Sequence, residues 1–295
     1  MNSLVVEEGR LTRKREIALL TEQLCLPFRS RAWRGSAGSW QGRNQGSSID
    51  FQDHRAYAPG DDPRHLDWAA YARTDNYAMK LFREEVSPRL DVVLDVSRSM
   101  SLTPAKEKRS FDLWALILGI ALNDGISLRL YIAQSAGQWR RMETTAALNL
   151  ESMSDLGLVD KAGRLPLVEI PWRAGSLRIL ISDLLFPQPP EQELAGLTHN
   201  QGRPVILAPF LQGEAQPDWN GNLELHDCET TEVRQQRVEP FLLSRYEKSY
   251  QRHFELWQDA ARRRGIPLAR ISCELSLSLA LRQQALSAGA FEVRH

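Results

Sequence analysis

Residues 89–101, RLDVVLDVSRSMS, constrain the fold more than any other stretch. Val92-Val93-Leu94 is an apolar run rich in β-branched side chains, preceded by the single acidic Asp91. Such a run suits a strand covered on both faces, as in a parallel sheet. It ends in Asp95, and Ser97 and Ser99 follow at alternate positions. Open parallel sheets place ligands beyond the carboxyl ends of their strands. One carboxylate and two hydroxyls at that place are the oxygen donors a hard divalent cation takes.

The same pattern returns along the chain. LRILISDLL, residues 177–185, is a second buried strand, and it runs into Asp183 as the first runs into Asp95. Val205 to Phe210 is a third, 126–132 alternates as a strand, and 266–272 closes the series. Ala136-Gly137 turns the chain into a short antiparallel edge strand at 138–142, and 223–227 adds another short strand. Between these lie helical patterns. Thr103-Pro104 starts a helix to Asn123, with Phe111, Trp114, Ala115, Leu118 and Leu122 at the period of one packing face. Helices are also expected at 148–159, at 242–264 with Phe254 and Trp257, and at 277–288.

Strands separated by helices predict an α/β domain over 89–295, a doubly wound and mostly parallel sheet. Residues 1–88 read as an N-terminal irregular extension packing on that domain. It comprises a helix at 4–24 carrying Leu11, Ile17, Leu20 and Leu24, a Gly/Ser/Arg-rich loop at 29–49, and a dense polar region at 50–85.

Charge narrows the function. Lys plus Arg and Asp plus Glu number 37 each, which argues against a general electrostatic nucleic-acid binder. Arg29, Arg31, Arg34 and Arg43 with Trp33 and Trp40 either stack on nucleic acid or are solvated loop charges beside two packed rings. The second reading is preferred, so no nucleic-acid partner is expected. Cys25, Cys228 and Cys273 are far apart and form no CxxC, as in a reducing compartment. The first residues lack the apolar region of a secretory leader. The longest apolar run, 113–122, is about half of the roughly 20 residues that span a bilayer. A cytoplasmic protein without membrane insertion is expected.

In 50–85, Pro59-Gly60 marks a turn, and Asp61 or Asp62 caps a helix begun at Pro63. Leu66, Ala69, Ala70 and Arg73 fall on that helix, with Trp68 toward a buried face, and Lys80–Phe82 follows as a strand. The string Arg55-x-Tyr57-x-Pro59-Gly60-Asp61-Asp62-x-Arg64-x-x-Asp67-Trp68, with Ala72-Arg73 and Phe82-Arg83-Glu84-Glu85, resembles the signature of the bacterial domain-of-unknown-function 58 family. The resemblance extends from the start of this region almost to the chain's end.

It implies a von Willebrand factor A-like (Rossmann-like) fold and partnership with a MoxR-type AAA+ ATPase, and with other von Willebrand factor A-like proteins, in chaperone-like maturation or remodelling. It also implies a metal-ion-dependent adhesion site for Mg²⁺ or Mn²⁺ at Asp95, Ser97, Ser99 and Asp183. One donor departs from the pattern. The second-loop threonine is missing, since no Thr occurs from Ala146 to Leu197. Thr144 and Thr145 lie earlier, and Ser152, Ser154 and Ser176 are the substitutes in range. The competing reading has Ser97 and Ser99 capping the next helix and Asp95 binding loop amides. For the signature, Arg55, Arg64, Arg73 and Arg83 with Asp61, Asp62, Asp67 and Glu84 form either an ion-pair clamp or, with Tyr57 and Trp68, a docking surface. His54 and His65 lack a third ligand at helical spacing, so zinc is not expected.

Enzyme motifs are sparse. A phosphatase aspartate at Asp95 would want a second Asp where Ser97 stands. No GxGxxG, Walker A or GxSxG string occurs. The expectation is a non-enzymatic protein-binding module. A metal-dependent phosphatase-like hydrolase and a metal-free scaffold are the alternatives.

Overall fold

A computed structural model describes residues 2–28, 51–58, 66–82, 88–134, 137–150, 152–156, 165–230 and 232–294. The chain forms two compact units, one of residues 1–28 with 88–295 and one of residues 29–87. The first helix therefore belongs to the same unit as the sheet, a different grouping from a continuous 1–88 extension. It is α1 (Asn2–Gln23), followed by the two-residue strand β1 (Leu24–Cys25).

The unit 29–87 contains a hairpin of β2 (Phe51–Ala56) and β3 (Ala78–Phe82), with α2 (Trp68–Thr74) between them. The helix begins at Trp68 instead of Pro63. Asp67 Oδ1 accepts the N–H groups of Ala69 and Ala70, both at 3.0 Å, and so sets the start of the helix. Trp68 is 61% exposed, contrary to the expected buried orientation. The packed ring is Tyr71, stacked on Tyr77 with centroids 4.5 Å apart. The loop 29–49 and the signature residues Asp61, Asp62, Arg64 and Glu84, like the Arg55 side chain, lie outside the described residues.

The main unit is built on a six-stranded sheet. In chain order its strands are β4 (Arg89–Asp95), β5 (Ser127–Gln134), β6 (Gln138–Met142), β7 (Leu177–Ile181), β8 (Arg203–Phe210) and β11 (Leu268–Ser272). The spatial order is β11-β8-β7-β4-β5-β6, parallel except for β6. Counted along the chain this is the doubly wound order 3-2-1-4-5-6, with the expected antiparallel edge strand. The direction of winding reverses between β4 and β7, which makes that pair the switch point. Both are buried on both faces, as the apolar runs at 92–94 and 179–181 require.

One face is covered by α3 (Pro104–Asn123), whose N-cap Thr103 accepts the Lys106 N–H. Twelve of the twenty residues of this helix are buried, more than one stripe, because α1 packs across its outer side. Thr21 sits against Gly119, and Arg13 pairs with Asp112. β1 then pairs antiparallel with β12 (Glu292–Val293), joining the start of this unit to its end. The other face carries α5 (Pro190–Thr198) and α7 (Pro240–Arg263). Here Leu194, Leu197, Phe254 and Trp257 pack on Val93, Leu180 and Ile206.

Other elements differ from expectation. The helix at 148–159 is instead a short α4 (Thr144–Leu148) and a 3₁₀ turn at Met153–Leu156. Glu107 Oε1 captures the Met153 N–H at 2.7 Å and draws the chain out of helical path. α5 was not anticipated from the sequence; Pro190 occupies its first turn. Beyond a short α6 (Gln212–Ala215), the expected strand at 223–227 is half of a hairpin, β9 (Gly221–His226) with β10 (Val233–Val238). The last helix, α8 (Leu277–Ala280), continues into a π turn at Leu281–Ala285.

Candidate functional site

The site lies at the switch point. Asp95 is the last residue of β4, and Asp183 lies two residues beyond β7, so adjacent parallel strands bring the two carboxylates to one edge. They line a crevice of about 290 Å³ together with Ser97 and Ser99. Asp95, Ser97, Ser99 and Asp183, assigned to one site from spacing and resemblance, thus converge.

Asp95 is buried. Its Oδ1 accepts the Ser97 N–H at 2.8 Å, and its Oδ2 accepts the Ser182 hydroxyl at 2.6 Å. The Ser97 and Ser99 hydroxyls face each other at 3.0 Å. Burial, and then the neighbouring Asp183 carboxylate, push the Asp95 carboxyl up to about 7, against the pull of the Ser182 and Ser97 donors. This is a carboxylate short of positive charge. The competing capping reading holds in part. Asp95 does bind a loop amide, but Thr103 caps α3, and Ser97 makes no side-chain cap bond to its 3₁₀ turn.

Asp183 has a different partner. Lys106 Nζ donates to Asp183 Oδ2 at 2.7 Å and to Glu214 Oε1 at 2.6 Å. Burial draws the Lys106 ammonium down, but the two carboxylates outweigh it and the net shift is upward. The next residue, Leu184, is fully buried at φ +61°, in the left-handed region. For a leucine this conformation costs about 1–3 kcal/mol. Ser182 Oγ accepts the Leu184 N–H at 3.1 Å, and His253 Nε2 donates to its carbonyl at 2.8 Å, so the turn is held from both sides.

The opposite wall is the tip of the β9–β10 hairpin. Asp227, Glu229 and Thr230 line the crevice there, and Glu229 Oε1 accepts the Ser99 N–H at 2.8 Å. Thr230 is a crevice threonine that sequence reasoning missed, some distance in the chain from the second loop. The proposed substitutes lie elsewhere. The Ser176 hydroxyl bonds Asp91, Ser152 bonds Glu107, and Thr144 and Thr145 open α4. The Ser154 side chain lies outside the described residues. Lys106 was also missed, although a signal existed. It shares the four-and-three spacing of Ser110, Leu113 and Ile117, all fully buried, and a lysine on such a stripe demands an anionic partner.

The donor chemistry fits a hard, partly hydrated cation. Such an ion takes one or two carboxylates and hydroxyl oxygens and keeps several waters. Asp95, Ser97 and Ser99 would hold it, with Asp183 shared with Lys106. Among the described residues no group of three or more His, Cys, Asp or Glu side chains is placed to hold a metal ion. In the other unit, Asp67 serves as the α2 cap, and Arg73 Nε donates to the Ala69 carbonyl at 3.1 Å. Tyr57 is exposed and its ring lies 6.2 Å from that of Tyr77.

These features define a doubly wound α/β protein with an acidic crevice at its switch point. The chain belongs to the family described as Protein of unknown function DUF58, which it matches over residues 53–255. It is similar to Uncharacterized protein Mb1516 of Mycobacterium bovis and Uncharacterized protein Rv1480 of Mycobacterium tuberculosis. Each is 26% identical over 214 residues, covering 68% of this chain and 67% of the relative. Among solved structures it aligns with BatB of Bacteroides thetaiotaomicron at 13% identity and a TM-score of 0.37, over 69% of this chain and 97% of that one. An aerotolerance-related membrane protein of Bacteroides fragilis aligns at 14% identity and a TM-score of 0.34, over 60% of this chain and all of that one. Among the described residues here, no helix is long and apolar enough to cross a membrane.

Proposed function

We propose that this chain is a non-enzymatic protein-binding module that grips a partner at the switch-point crevice, assisted by a divalent cation such as Mg²⁺ or Mn²⁺. The observation that supports this is the charge of the crevice. Asp95, Asp183, Asp227 and Glu229 line it with two serine hydroxyls, among the described residues no lysine or arginine lines it, and Lys106, which does not line it, pairs with Asp183 and Glu214. A bound cation relieves the excess on Asp95 and, with coordination positions left to solvent, offers a docking point for a carboxylate of the partner. The partner class is a MoxR-type AAA+ ATPase in the cytoplasm, and the work is maturation or remodelling of clients. This part rests on the resemblance of the Arg55–Glu85 signature.

Two measurements test the reading. Titration calorimetry with Mg²⁺ and with Mn²⁺ should give saturable heat that is lost in Ser99→Ala and Asp95→Asn. Pull-down of a MoxR-type ATPase should weaken in the same variants while circular dichroism stays unchanged. Absence of heat together with undiminished capture by Asp95→Asn removes the crevice from the function.

A further inference from the structure

The β9–β10 hairpin is inserted between β8 and α7, and little of it joins the core. Among its described strand residues only Val238, at its foot, is buried. A two-stranded ribbon alone is marginal in water, and elements with few buried contacts open first. The tip is nevertheless firmly shaped. Asp227 Oδ1 accepts the N–H groups of Glu229 at 2.8 Å and Thr230 at 2.9 Å, and the Asp227 N–H donates to the Glu232 carbonyl at 2.8 Å.

This shape aims Glu229 at the loop after β4. Its carboxylate accepts the Ser99 N–H, a donor that the Ser97 side chain leaves uncapped. Arg98 Nη1 donates to the Cys228 carbonyl beside it, at a longer 3.5 Å. The contact joins a ribbon with little buried surface to the loop after β4 that carries the site. Ser99 offers an amide N–H at the crevice wall, and its hydroxyl lies against that of Ser97. An incoming carboxylate at this wall would meet the Ser99 amide, which Glu229 already takes.

We infer that the hairpin tip is an autoinhibitory latch in which Glu229 occupies, from within the chain, the place of an acidic side chain of the partner protein. Partner entry then requires the hairpin to swing off Ser99. The inference rests on the crevice being the docking site.

The test uses the full chain and two variants. Glu229→Asp keeps the charge but withdraws the carboxylate by one methylene. The second variant replaces residues 227–232 by Asn-Gly, a two-residue turn that the pairing of His226 with Val233 accommodates. Hydrogen exchange at the Ser99 amide should accelerate at least about tenfold in both, since a bond to a charged acceptor is lost. The central strands should stay protected. Capture of a MoxR-type ATPase should strengthen in both variants. Unchanged exchange at Ser99 overturns the latch. So does capture by the wild type with no gain in the variants. Capture by neither wild type nor variants refutes the docking reading itself, and the latch with it.

Discussion

Lys106 Nζ lies 2.7 Å from Asp183 Oδ2 and 2.6 Å from Glu214 Oε1, with the lysine side chain fully buried. One ammonium thus ties the first turn of α3 to the turn after β7 and to α6. A buried charge is tolerated only when paired, and removing one member strands the others. Lys106→Met should therefore destabilise the protein by about 3–5 kcal/mol, read from urea unfolding. The double variant with Asp183→Asn should recover part of that loss. A single-variant loss below about 1 kcal/mol would show that the ammonium is not structural.

Asp95 predicts a pH dependence. Its folded pKa is raised from 3.8 to about 7, first by burial and then by Asp183. Between these values the folded state holds a proton that the unfolded state has released, so the contribution of Asp95 to stability falls as pH rises. In metal-free protein, the denaturation midpoint should drop between about pH 4 and pH 7. In Asp95→Asn that part of the slope should vanish. Parallel curves for the two proteins would contradict the assignment.

At the opposite end of the sheet, Arg178 is fully buried beneath α5, with its guanidinium on the carbonyls of Leu197 at 2.8 Å and Arg173 at 3.1 Å. A Cβ at Gly202 would lie 2.2 Å from Arg178 Cζ. Such a guanidinium cannot yield without giving up its bonds. Gly202→Ala should cost about 1–3 kcal/mol by thermal or urea unfolding, although its φ of −61° suits alanine.

Asp67 of the family signature acts on its own unit. Its carboxylate satisfies two amides at the start of α2. Asp67→Ala should weaken that helix by about 1 kcal/mol. Faster hydrogen exchange at Ala69 and Ala70 should report it, with the sheet of the other unit unaffected.

What could be read from the sequence was local and periodic. Val92-Val93-Leu94 and the LRILIS run specify strands covered on both faces, because apolar side chains at both parities leave no face for water. The alternation with helices specified a parallel sheet, and Asp95 and Asp183 followed from strand ends because a residue's place along a strand is a matter of counting. Errors came where a single side chain redirected the backbone. Asp67 starts α2 later than the proline suggested, and Glu107 ends the helical path near Met153.

The chain alone therefore determined the layered, mostly parallel α/β class and a carboxylate at the end of each of two buried strands; the strand order and the switch point came from the tertiary structure. Only the tertiary structure decided which charges meet. Ser99 and Glu229 are 130 residues apart, and Lys106 and Asp183 are 77 apart. The reason is physical. Burial is written into the run of apolar residues, whereas the partner of a polar group is whichever group the topology carries within about 3 Å of it.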